Sequence, residues 1–324
     1  MDAAIEVQGL VKRFGDVTAV AGIDFEVRRG ELFGFLGPNG AGKTTTINLL
    51  TGLARPDAGS IRIAGIDCSR NPKAAQHLLG VVPDESNLYP ELTGLENLCF
   101  CGALYGMGRR DREARAREFL ETFGLAEAAG RKFAAYSKGM KRKCTIAAGI
   151  IHRPPILFLD EPSTGIDVAS ARQIRGLIAE FSRGGTTIFL TTHYIEEAER
   201  LCGRIAFIVA GRIVRTDTVE NLMQPLEGRH VVEFTLDGAA ESLAEDLRAV
   251  FPALEAQEVG RGRLRVTSAQ PVRIGPLVRF FEDRGVAVGE ARKVCPTLEE
   301  VFVEITGIEA DRMRAEREKP GGGP

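Results

Sequence analysis

Tryptophan is absent from this chain of 324 residues, and tyrosine and histidine occur only four times each. Long apolar runs are also missing, since no segment approaches the roughly 18 consecutive residues that a membrane-spanning helix requires. The first residues lack the positive and then apolar order of a signal peptide. We therefore expect a globular, cytoplasmic protein with a substantial core, and any membrane-spanning segment that it needs must belong to another chain.

Neither sign of charge dominates, because 42 basic and 44 acidic residues leave a formal net charge of −2. The densest charge run, at residues 109–113, is typical of a solvated helix face, and we assign it no nucleic-acid role.

The cysteines are scattered, which predicts reduced thiols in a cytosol. Only Cys99 and Cys101 lie close together. Without nearby Cys or His ligands, two half-buried side chains on a helix are favoured over a metal site.

Residues 37–45 fill the P-loop template of Gly, four residues and then Gly-Lys-Thr. An apolar run at residues 31–36 predicts a buried strand before the loop, and residues 45–50 predict a helix after it. Glycines let successive backbone N–H groups point at phosphates, and the helix N-terminus adds partial positive charge. Lys43 is expected to reach the β- and γ-phosphates, and the Thr44 hydroxyl to ligate Mg²⁺. The predicted nucleoside triphosphate site comprises Gly37, Pro38, Asn39, Gly40, Ala41, Gly42, Lys43, Thr44 and Thr45.

A second apolar run, at residues 155–159, ends in the acidic pair Asp160 and Glu161 and looks like a Walker B strand. A buried parallel strand delivers its last carboxylate to the sheet edge where a P-loop also lies, so Asp160 is expected to hold Mg²⁺ through its water shell. Glu161 follows the strand and is placed to polarise the water that attacks the γ-phosphate. The alternative is a surface acidic pair, which the intact P-loop makes less favourable.

Three further segments make the pattern specific: Tyr-Ser-Lys-Gly-Met from residue 136, Ser-Thr-Gly-Ile-Asp from residue 163, and Thr-Thr-His from residue 191. Their order and spacing resemble those of the ATP-binding cassette (ABC) ATPases over about the first two-thirds of the chain. The resemblance implies a D-loop that ends at Asp167 and a switch histidine at His193. It also implies that Phe14 stacks on adenine, although this residue alone is as readily a core aromatic of an N-terminal hairpin.

The segment from residue 136 resembles the family signature LSGGQ and implies a dimer. A Ser hydroxyl and glycine N–H groups at a helix N-terminus make an anion site, yet the P-loop already supplies one. In ABC ATPases the nucleotide lies between the P-loop of one subunit and the signature of its partner, so Ser137 and Gly139 are expected to contact the γ-phosphate across a two-fold interface. Lys138 and Met140 depart from LSGGQ, and Met140 lacks the amide of Gln. This variant pattern is similar to that of type-2 ABC exporters.

The loop at residues 80–85 carries Asp84 where the family has Gln. In the resembling enzymes that Gln meets Mg²⁺ and the attacking water. Asp84 can ligate Mg²⁺ or accept a proton from water, but it is one methylene shorter and donates no hydrogen bond. Neighbouring Glu85 could substitute for it, and the plain alternative is that Asp84 caps the next helical turn.

Residues 89–129 are helix-like and are expected to form a helical subdomain that presents the signature helix. The segment at residues 88–97 follows the loop of Asp84 and is expected to contact a membrane partner. Packing in a helix core is an equally favoured role for its apolar side chains, Tyr89, Leu92 and Leu95.

The whole pattern predicts an α/β fold: a P-loop ABC ATPase domain with an antiparallel β subdomain and a helical subdomain at residues 1–224, followed by a small α+β domain. The first domain is expected to end in a hairpin turned at Ala210 and Gly211. A linker at residues 225–230 follows it, and the tail at residues 309–324 is expected to be disordered.

The C-terminal domain, residues 231–308, shows the β-α-β-β-α-β order of a ferredoxin-like arrangement. Its predicted strands lie at residues 231–236, around Ala256, around Leu264 and at residues 286–288, and its helices at residues 241–250 and 271–284. Residues 296–307 resemble the closing motif of type-2 exporter ATPases. We favour a structural cap that stabilises the ATPase dimer over a ligand-sensing domain, because no cluster of polar residues stands out.

Taken as a resemblance, these motifs imply an ATP-hydrolysing subunit of an ABC export system that uses ATP and Mg²⁺. Its expected partners are a transmembrane permease and a second copy of the chain, at the inner face of the plasma membrane. One rival is a soluble ABC ATPase acting on ribosomes or DNA, but such proteins usually resemble two cassettes or carry a long coiled coil, and this sequence has neither. A second rival is a nucleotide-responsive regulatory protein.

Overall fold

The computed structural model describes residues 3–69, 71–224, 228–237, 241–260, 262–294 and 297–308. Contacts divide the chain into two compact units. The first takes the chain up to Val219 and again from Phe302, and the second runs from Glu220 to Val301. The first unit therefore ends a few residues before the expected limit at residue 224, and it includes Phe302, which the sequence placed in the C-terminal domain. The predicted linker lies partly, and the predicted tail entirely, outside the described residues.

The helices and strands are numbered in chain order. The strands span Ala3–Phe14 (β1), Val17–Arg28 (β2), Leu32–Leu36 (β3), Ala58–Ile63 (β4), Ile66–Asp67 (β5), Leu79–Val82 (β6), Ile156–Asp160 (β7), Thr187–Thr192 (β8), Arg204–Val209 (β9), Arg212–Thr218 (β10), His230–Leu236 (β11), Glu255–Glu258 (β12), Arg263–Ser268 (β13) and Val288–Val294 (β14). The α-helices span Lys43–Leu50 (α1), Lys73–Gln76 (α2), Gly94–Leu104 (α3), Arg109–Thr122 (α4), Lys138–Gly149 (α5), Val168–Arg183 (α6), Ile195–Leu201 (α7), Val219–Met223 (α8), Glu241–Val250 (α9), Ile274–Glu282 (α10) and Leu298–Thr306 (α11). In the described ranges, no helix combines the length and the apolar composition needed to cross a membrane.

The first unit contains two sheets that share a core. The antiparallel sheet has the order β2-β1-β4-β5, and the larger sheet has the order β10-β9-β3-β8-β7-β6. Strands β3, β7 and β8 are buried at every position, as expected of parallel strands covered on both faces. Aromatic rings fill the space between the sheets, where Phe25 of β2 packs against Phe33, Phe35 and Phe189.

Strand order places the functional segments side by side. Strand β8 lies between β3 and β7, and all three run parallel. Their carboxyl ends therefore meet at one edge of the sheet, so the loops that follow Leu36, Asp160 and Thr192 converge there. The predicted terminal hairpin is confirmed: β9 and β10 pair antiparallel, and Ala210 and Gly211 at the turn both have positive φ.

The helical part begins later than its sequence pattern suggests. Helix α3 starts at Gly94, with a capping box between Thr93 and Glu96. Asn97, which is fully buried, accepts a hydrogen bond from the Tyr89 amide at 2.9 Å and donates one to the Tyr89 carbonyl at 3.0 Å. The expectation of helix from residue 89 was therefore wrong by one turn, because a buried side-chain amide holds this segment as an irregular loop.

The second unit has the predicted ferredoxin-like topology. Its strands form one antiparallel sheet in the order β12-β13-β11-β14, with α9 and α10 supplying the apolar residues that cover it. The last strand was misplaced at residues 286–288, since β14 spans Val288–Val294. Charged residues of β14 face outward, where Arg292 reaches Glu233 of β11 at 3.3 Å. The charged residues on this exposed face hide the strand pattern in the sequence, and the strand forms because it pairs with β11.

Candidate active site

The loop between β3 and α1 forms one wall of a cavity of about 180 Å³. Gly42 has a φ of 104°, and a Cβ there would lie 2.3 Å from the Ala19 carbonyl oxygen. A Cβ on Gly37 would lie 2.1 Å from the Ile208 carbonyl oxygen, so both positions require glycine. The cavity is lined by Ala19, Asn39, Gly40, Gly42, Lys43, Thr44, Thr45, Asp84 and Glu161.

Lys43 is the cation of this cavity and is only 5% exposed. Its Nζ donates hydrogen bonds to the carbonyl oxygens of Gly37 at 2.8 Å and Pro38 at 3.1 Å, and it lies 3.2 Å from Oε1 of Glu161. In the described part of the chain, the buried Nδ2 of Asn39 has no hydrogen-bond partner. A buried cation and an unmatched N–H donor suit an anionic ligand with several oxygen atoms. Ala41 and Gly37 are buried within the loop, and Pro38 is half-buried.

Asp160 and Thr44 form the oxygen-rich side of the site. Burial raises the pKa of Asp160, and hydrogen bonds from the Thr191 and Thr44 side chains oppose that rise. The Thr44 hydroxyl therefore lies near the Asp160 carboxylate beside the cavity. Hard oxygen donors of this kind suit Mg²⁺, which takes one or two protein ligands and completes its shell with phosphate and water oxygens.

Glu161 has the most constrained carboxylate of the site. It is 4% exposed, and its backbone has a φ of 49°, which is strained for a residue with a side chain. Oε2 accepts a hydrogen bond from Thr164 Oγ1 at 2.8 Å and pairs with Nδ1 of His193. Burial raises the pKa of Glu161, but the His193 hydrogen bond and the Lys43 charge outweigh it and bring this pKa to about 2. The carboxylate is thus ionised at neutral pH.

Asp84 also lines the cavity, on the loop after β6. Its charge is one of the influences that raise the pKa of Asp160, so the two carboxylates are near one another. The structure thus brings together Lys43, Thr44, Asp84, Asp160, Glu161 and His193, as the sequence predicted, although their individual roles stay predictions.

The predicted signature residues are not part of the cavity lining. Ser137 is the N-cap of α5, where its side chain accepts a hydrogen bond from the Met140 amide at 3.2 Å. Gly139 packs against the start of α6, since a Cβ there would lie 2.2 Å from Ser170 Oγ. Asp167 caps α6 by accepting a hydrogen bond from the Ser170 amide at 2.9 Å, and this bond lowers the pKa of Asp167.

Phe14 is not a core residue. Its side chain is 54% exposed at the end of β1, where Lys12 Nζ lies 5.3 Å from the ring centroid. Asp57 holds this end of the strand, accepting hydrogen bonds from Lys12 Nζ and the Arg13 amide. An exposed ring on a fixed strand end is suited to stacking on a flat ligand.

Comparison with known proteins assigns the family. A family model described as ABC transporter matches residues 20–164. The daunorubicin/doxorubicin resistance ATP-binding protein DrrA of Streptomyces peucetius is 37% identical over 321 residues, covering 97% of this chain and 95% of that protein. The chain belongs to the ABC transporter family.

Other relatives of this ABC ATPase agree. The Nod factor export ATP-binding protein I of Paraburkholderia xenovorans is 40% identical, over 84% of this chain and 88% of its own. The solved ATP-binding subunit of an ABC transporter superposes with a TM-score of 0.63 and 31% identity, covering 68% of this chain and 92% of its own. A dimeric cassette in a post-hydrolysis state, bound to ADP and Pi, has a TM-score of 0.62 and 25% identity, covering 66% and 98%. The predicted fold and ATPase activity are confirmed.

Several residues of this ABC ATPase escaped the sequence reading. Thr164 and Thr191 fix the two acidic groups, and their positions within recognised motifs were the available signal. Arg142 carried no such signal, since it lies in a basic run, yet it is 3% exposed. Glu197 of α7 is equally buried, and burial raises its pKa while the nearby Ser163 and Thr192 hydroxyls lower it. In the described residues neither Glu197 oxygen has a hydrogen bond of standard geometry, so these hydroxyls are neighbours rather than firm partners.

Proposed function

We propose that this ABC ATPase is the ATP-hydrolysing subunit of an export system and that it drives a separate transmembrane permease. The observation that carries the proposal is Glu161, which lies at the P-loop cavity between Lys43 and His193. The match over nearly the whole chain to resistance and Nod factor export ATP-binding proteins supports export as the process that hydrolysis drives.

ATP binding exchanges the partners of Lys43. In this structure, its Nζ contacts two loop carbonyls and the Glu161 carboxylate. When ATP binds, Nζ exchanges these partners for the phosphates, because the phosphates carry more negative charge than two neutral carbonyls or a single carboxylate. The loop N–H groups and the N-terminus of α1 surround the same anion. Phe14 stacks on adenine, since its ring is exposed and its strand end is fixed by Asp57.

Thr44, Asp160 and Asp84 are the residues that would hold Mg²⁺, with Asp160 acting through water. The metal supplies charge neutralisation on the phosphate oxygens. Thr191 keeps the Asp160 carboxylate in one orientation by donating a hydrogen bond to Oδ1. Asp84 adds a second carboxylate on a loop outside the sheet, where its shorter side chain replaces the Gln of the family.

Hydrolysis begins when water attacks the γ-phosphorus and the bond to the bridging oxygen breaks. Glu161, which lines the cavity, accepts a hydrogen bond from that water and thereby orients and polarises it. His193 and Thr164 hold the carboxylate in place while Lys43 leaves it for the phosphates. The products are ADP and phosphate.

Two copies of the chain are needed to complete each site. Ser137 and Gly139 lie at the N-terminus of α5, outside the lining of the P-loop cavity, so a partner's signature supplies the remaining contacts to the γ-phosphate. ATP that is contacted by both subunits only in the closed dimer favours closure, and hydrolysis removes that preference.

An exposed apolar patch is the contact that we assign to the permease. It comprises Tyr89, Phe100 and Leu104, which are 46%, 39% and 72% exposed, and the Tyr89 and Phe100 rings meet edge to face at 5.1 Å. Leu92 and Leu95, which the sequence also offered for this role, are half-buried. Exposed apolar patches of this kind mark interaction sites. This contact would hold the chain at the cytoplasmic face of the membrane.

The test begins by asking whether an adjacent gene encodes a membrane protein with about six apolar 20-residue segments, and the full chain is then co-expressed with that protein. The parent should co-purify with that protein and show Mg·ATP hydrolysis that the complex stimulates. Changing Tyr89 and Phe100 together to Ser should abolish co-purification and leave basal hydrolysis intact. Leu53→Ser is the matched control, since Leu53 is 70% exposed outside the patch. If the parent hydrolyses Mg·ATP but does not co-purify with the membrane protein, the result would instead support a soluble ABC ATPase.

A further inference from the structure

Arg142 is a buried cation on the signature helix α5 that the mechanism above does not use. Only 3% of the residue is exposed. Its Nε donates to the Pro162 carbonyl oxygen at 2.8 Å, and Nη2 donates to the Asp160 carbonyl oxygen at 2.7 Å. Nη1 donates to the carbonyl oxygens of Pro83 and of Asp84, the latter at 2.9 Å. Four of the five N–H donors of an arginine are therefore committed to backbone.

Its acceptors belong to two segments of the active site. The Asp160 and Pro162 carbonyls lie on either side of Glu161, so the guanidinium donates hydrogen bonds to the backbone immediately before and after that residue. Glu161 has a positive φ, and such a conformation persists only where the surroundings hold it. The Pro83 and Asp84 carbonyls belong to the loop that carries the Asp84 side chain into the cavity.

Charge alone does not account for this arrangement. Burial lowers the pKa of Arg142, and the carboxylates of Asp84, Asp160, Glu197 and Glu161 oppose that effect. Yet within the described residues each hydrogen bond from Arg142 goes to a carbonyl oxygen, not to a carboxylate. A planar fork with fixed donor directions suits several carbonyls at set positions, which a lysine ammonium cannot match.

The hydrogen bonds from Arg142 to these two segments, which we call the Arg142 clamp, connect them to the signature helix α5. Arg142 lies in the second turn of α5, whose N-cap Ser137 is assigned to the partner's nucleotide. The N-terminus of α5 also packs closely on α6 through Gly139 and Ser170. Movement of α5 when the signature engages would therefore be transmitted through one rigid side chain to both Glu161 and the Asp84 loop.

We propose that Arg142 is a positioning residue that fixes Glu161 and the Asp84 loop to the signature helix, so that hydrolysis at each P-loop depends on the placement of α5 in the same chain. This inference rests on the ATP hydrolysis proposed above and names the residue that regulates it. Arg142 does not contact the phosphates, so its loss should impair turnover rather than nucleotide binding.

The experiment compares Arg142→Lys, Arg142→Gln and the parent as full chains. Steady-state hydrolysis gives kcat and KM, sizing chromatography with ATP and Mg²⁺ gives dimer formation, and thermal unfolding reports folding. Lys143→Gln is the matched control, because it removes a cation from the next position of α5, where Nζ contacts Gln173 rather than the active site. We expect kcat to fall about 100-fold in Arg142→Gln and at least about tenfold in Arg142→Lys. KM should stay within about threefold, and ATP-dependent dimers should still form.

Arg142→Lys decides the outcome, because it keeps the buried charge and gives the same comparison if Arg142→Gln fails to fold. A folded Arg142→Lys chain with the parent's kcat would show that charge suffices and would overturn the clamp. A loss confined to KM, or one matched by Lys143→Gln, would overturn it as well. A parent chain that hydrolyses no ATP would contradict the proposed function instead, so the two failures are distinguishable.

Discussion

Replacing Glu161 by Gln separates what this carboxylate does for catalysis from what it does for stability. The substitution keeps the shape of the side chain and removes its charge. Two buried groups, Lys43 Nζ at 3.2 Å and the His193 ring, then lose an ionised partner, as does the half-buried Thr164 Oγ1 at 2.8 Å. The amide can retain some of the hydrogen bonds, but it cannot pair with the lysine charge.

The lowered pKa of Glu161 gives the size of the stability loss expected in Glu161→Gln. A pKa of about 2 in the folded chain, against an ordinary value of 4.5, corresponds to roughly 3 kcal/mol of stabilisation of the ionised form. Because the folded pKa is lowered, this stabilisation is present above pH 4.5 and is lost as the pH falls towards 2. Roughly 1 kcal/mol of it should already be lost one pH unit below 4.5. Glu161→Gln should therefore be less stable than the parent at pH 7 by up to roughly 3 kcal/mol, and this difference should shrink in acid.

The assay is urea unfolding of the nucleotide-free and metal-free chain at pH 7 and near pH 3.5. Far-UV circular dichroism is the suitable signal, since the sequence contains no tryptophan. Glu121→Gln, at an exposed position of α4, is the control for loss of one acidic residue and should show no such pH dependence. A stability difference between Glu161→Gln and the parent that is the same at both pH values would refute the electrostatic reasoning.

Catalysis should respond differently from stability. Removing the water-polarising carboxylate should lower kcat by about 10² to 10⁴-fold. ATP affinity should not weaken, because Lys43 no longer has to leave an ion pair with Glu161 before it binds phosphate. Glu161→Gln should therefore accumulate as an ATP-bound dimer on sizing chromatography with Mg²⁺. A variant that stays monomeric and turns over like the parent would remove Glu161 from the catalytic role.

Four further changes test the remaining assignments. Lys43→Ala should abolish productive ATP binding, and saturable binding of a fluorescent ATP analogue at the parent's affinity would contradict this. Phe14→Ala should weaken ATP by roughly tenfold while leaving inorganic triphosphate unaffected, and an equal loss for both ligands would argue against adenine stacking. Asp84→Ala should lower turnover and transport coupling more than ATP affinity while Asp84→Gln largely preserves both, so parental activity in Asp84→Ala would reduce Asp84 to a helix cap. A chain that ends at Gly228 should still bind ATP, but it should melt earlier because it lacks Phe302, which is fully buried with its ring 5.2 Å from Phe207, and failure to fold would show that the two parts share a core.

The sequence alone determined the features that depend on neighbouring residues. Short stretches of sequence were enough to recognise the P-loop, the acidic pair after an apolar strand and the β-α-β-β-α-β order. Glycine freedom, strand burial and helix periodicity are local properties, so each of these features can be recognised from neighbouring residues. The same logic failed where local and distant preferences compete. Asn97 draws the residues around Tyr89 into a loop, and pairing with β11 extends β14 through a run of charged residues.

The sequence predicted which motif residues share the active site, but only the tertiary structure decided which of their atoms are in contact. Lys43, Glu161 and His193 come together because β8 lies between β3 and β7, and no local pattern specifies that order. Arg142 is the clearest case, since its sequence neighbours are half-buried lysines while its own buried side chain donates to backbone carbonyls. A carbonyl oxygen is the same acceptor in every residue, so a contact made to backbone leaves no trace in the sequence and becomes visible only when the chain is folded.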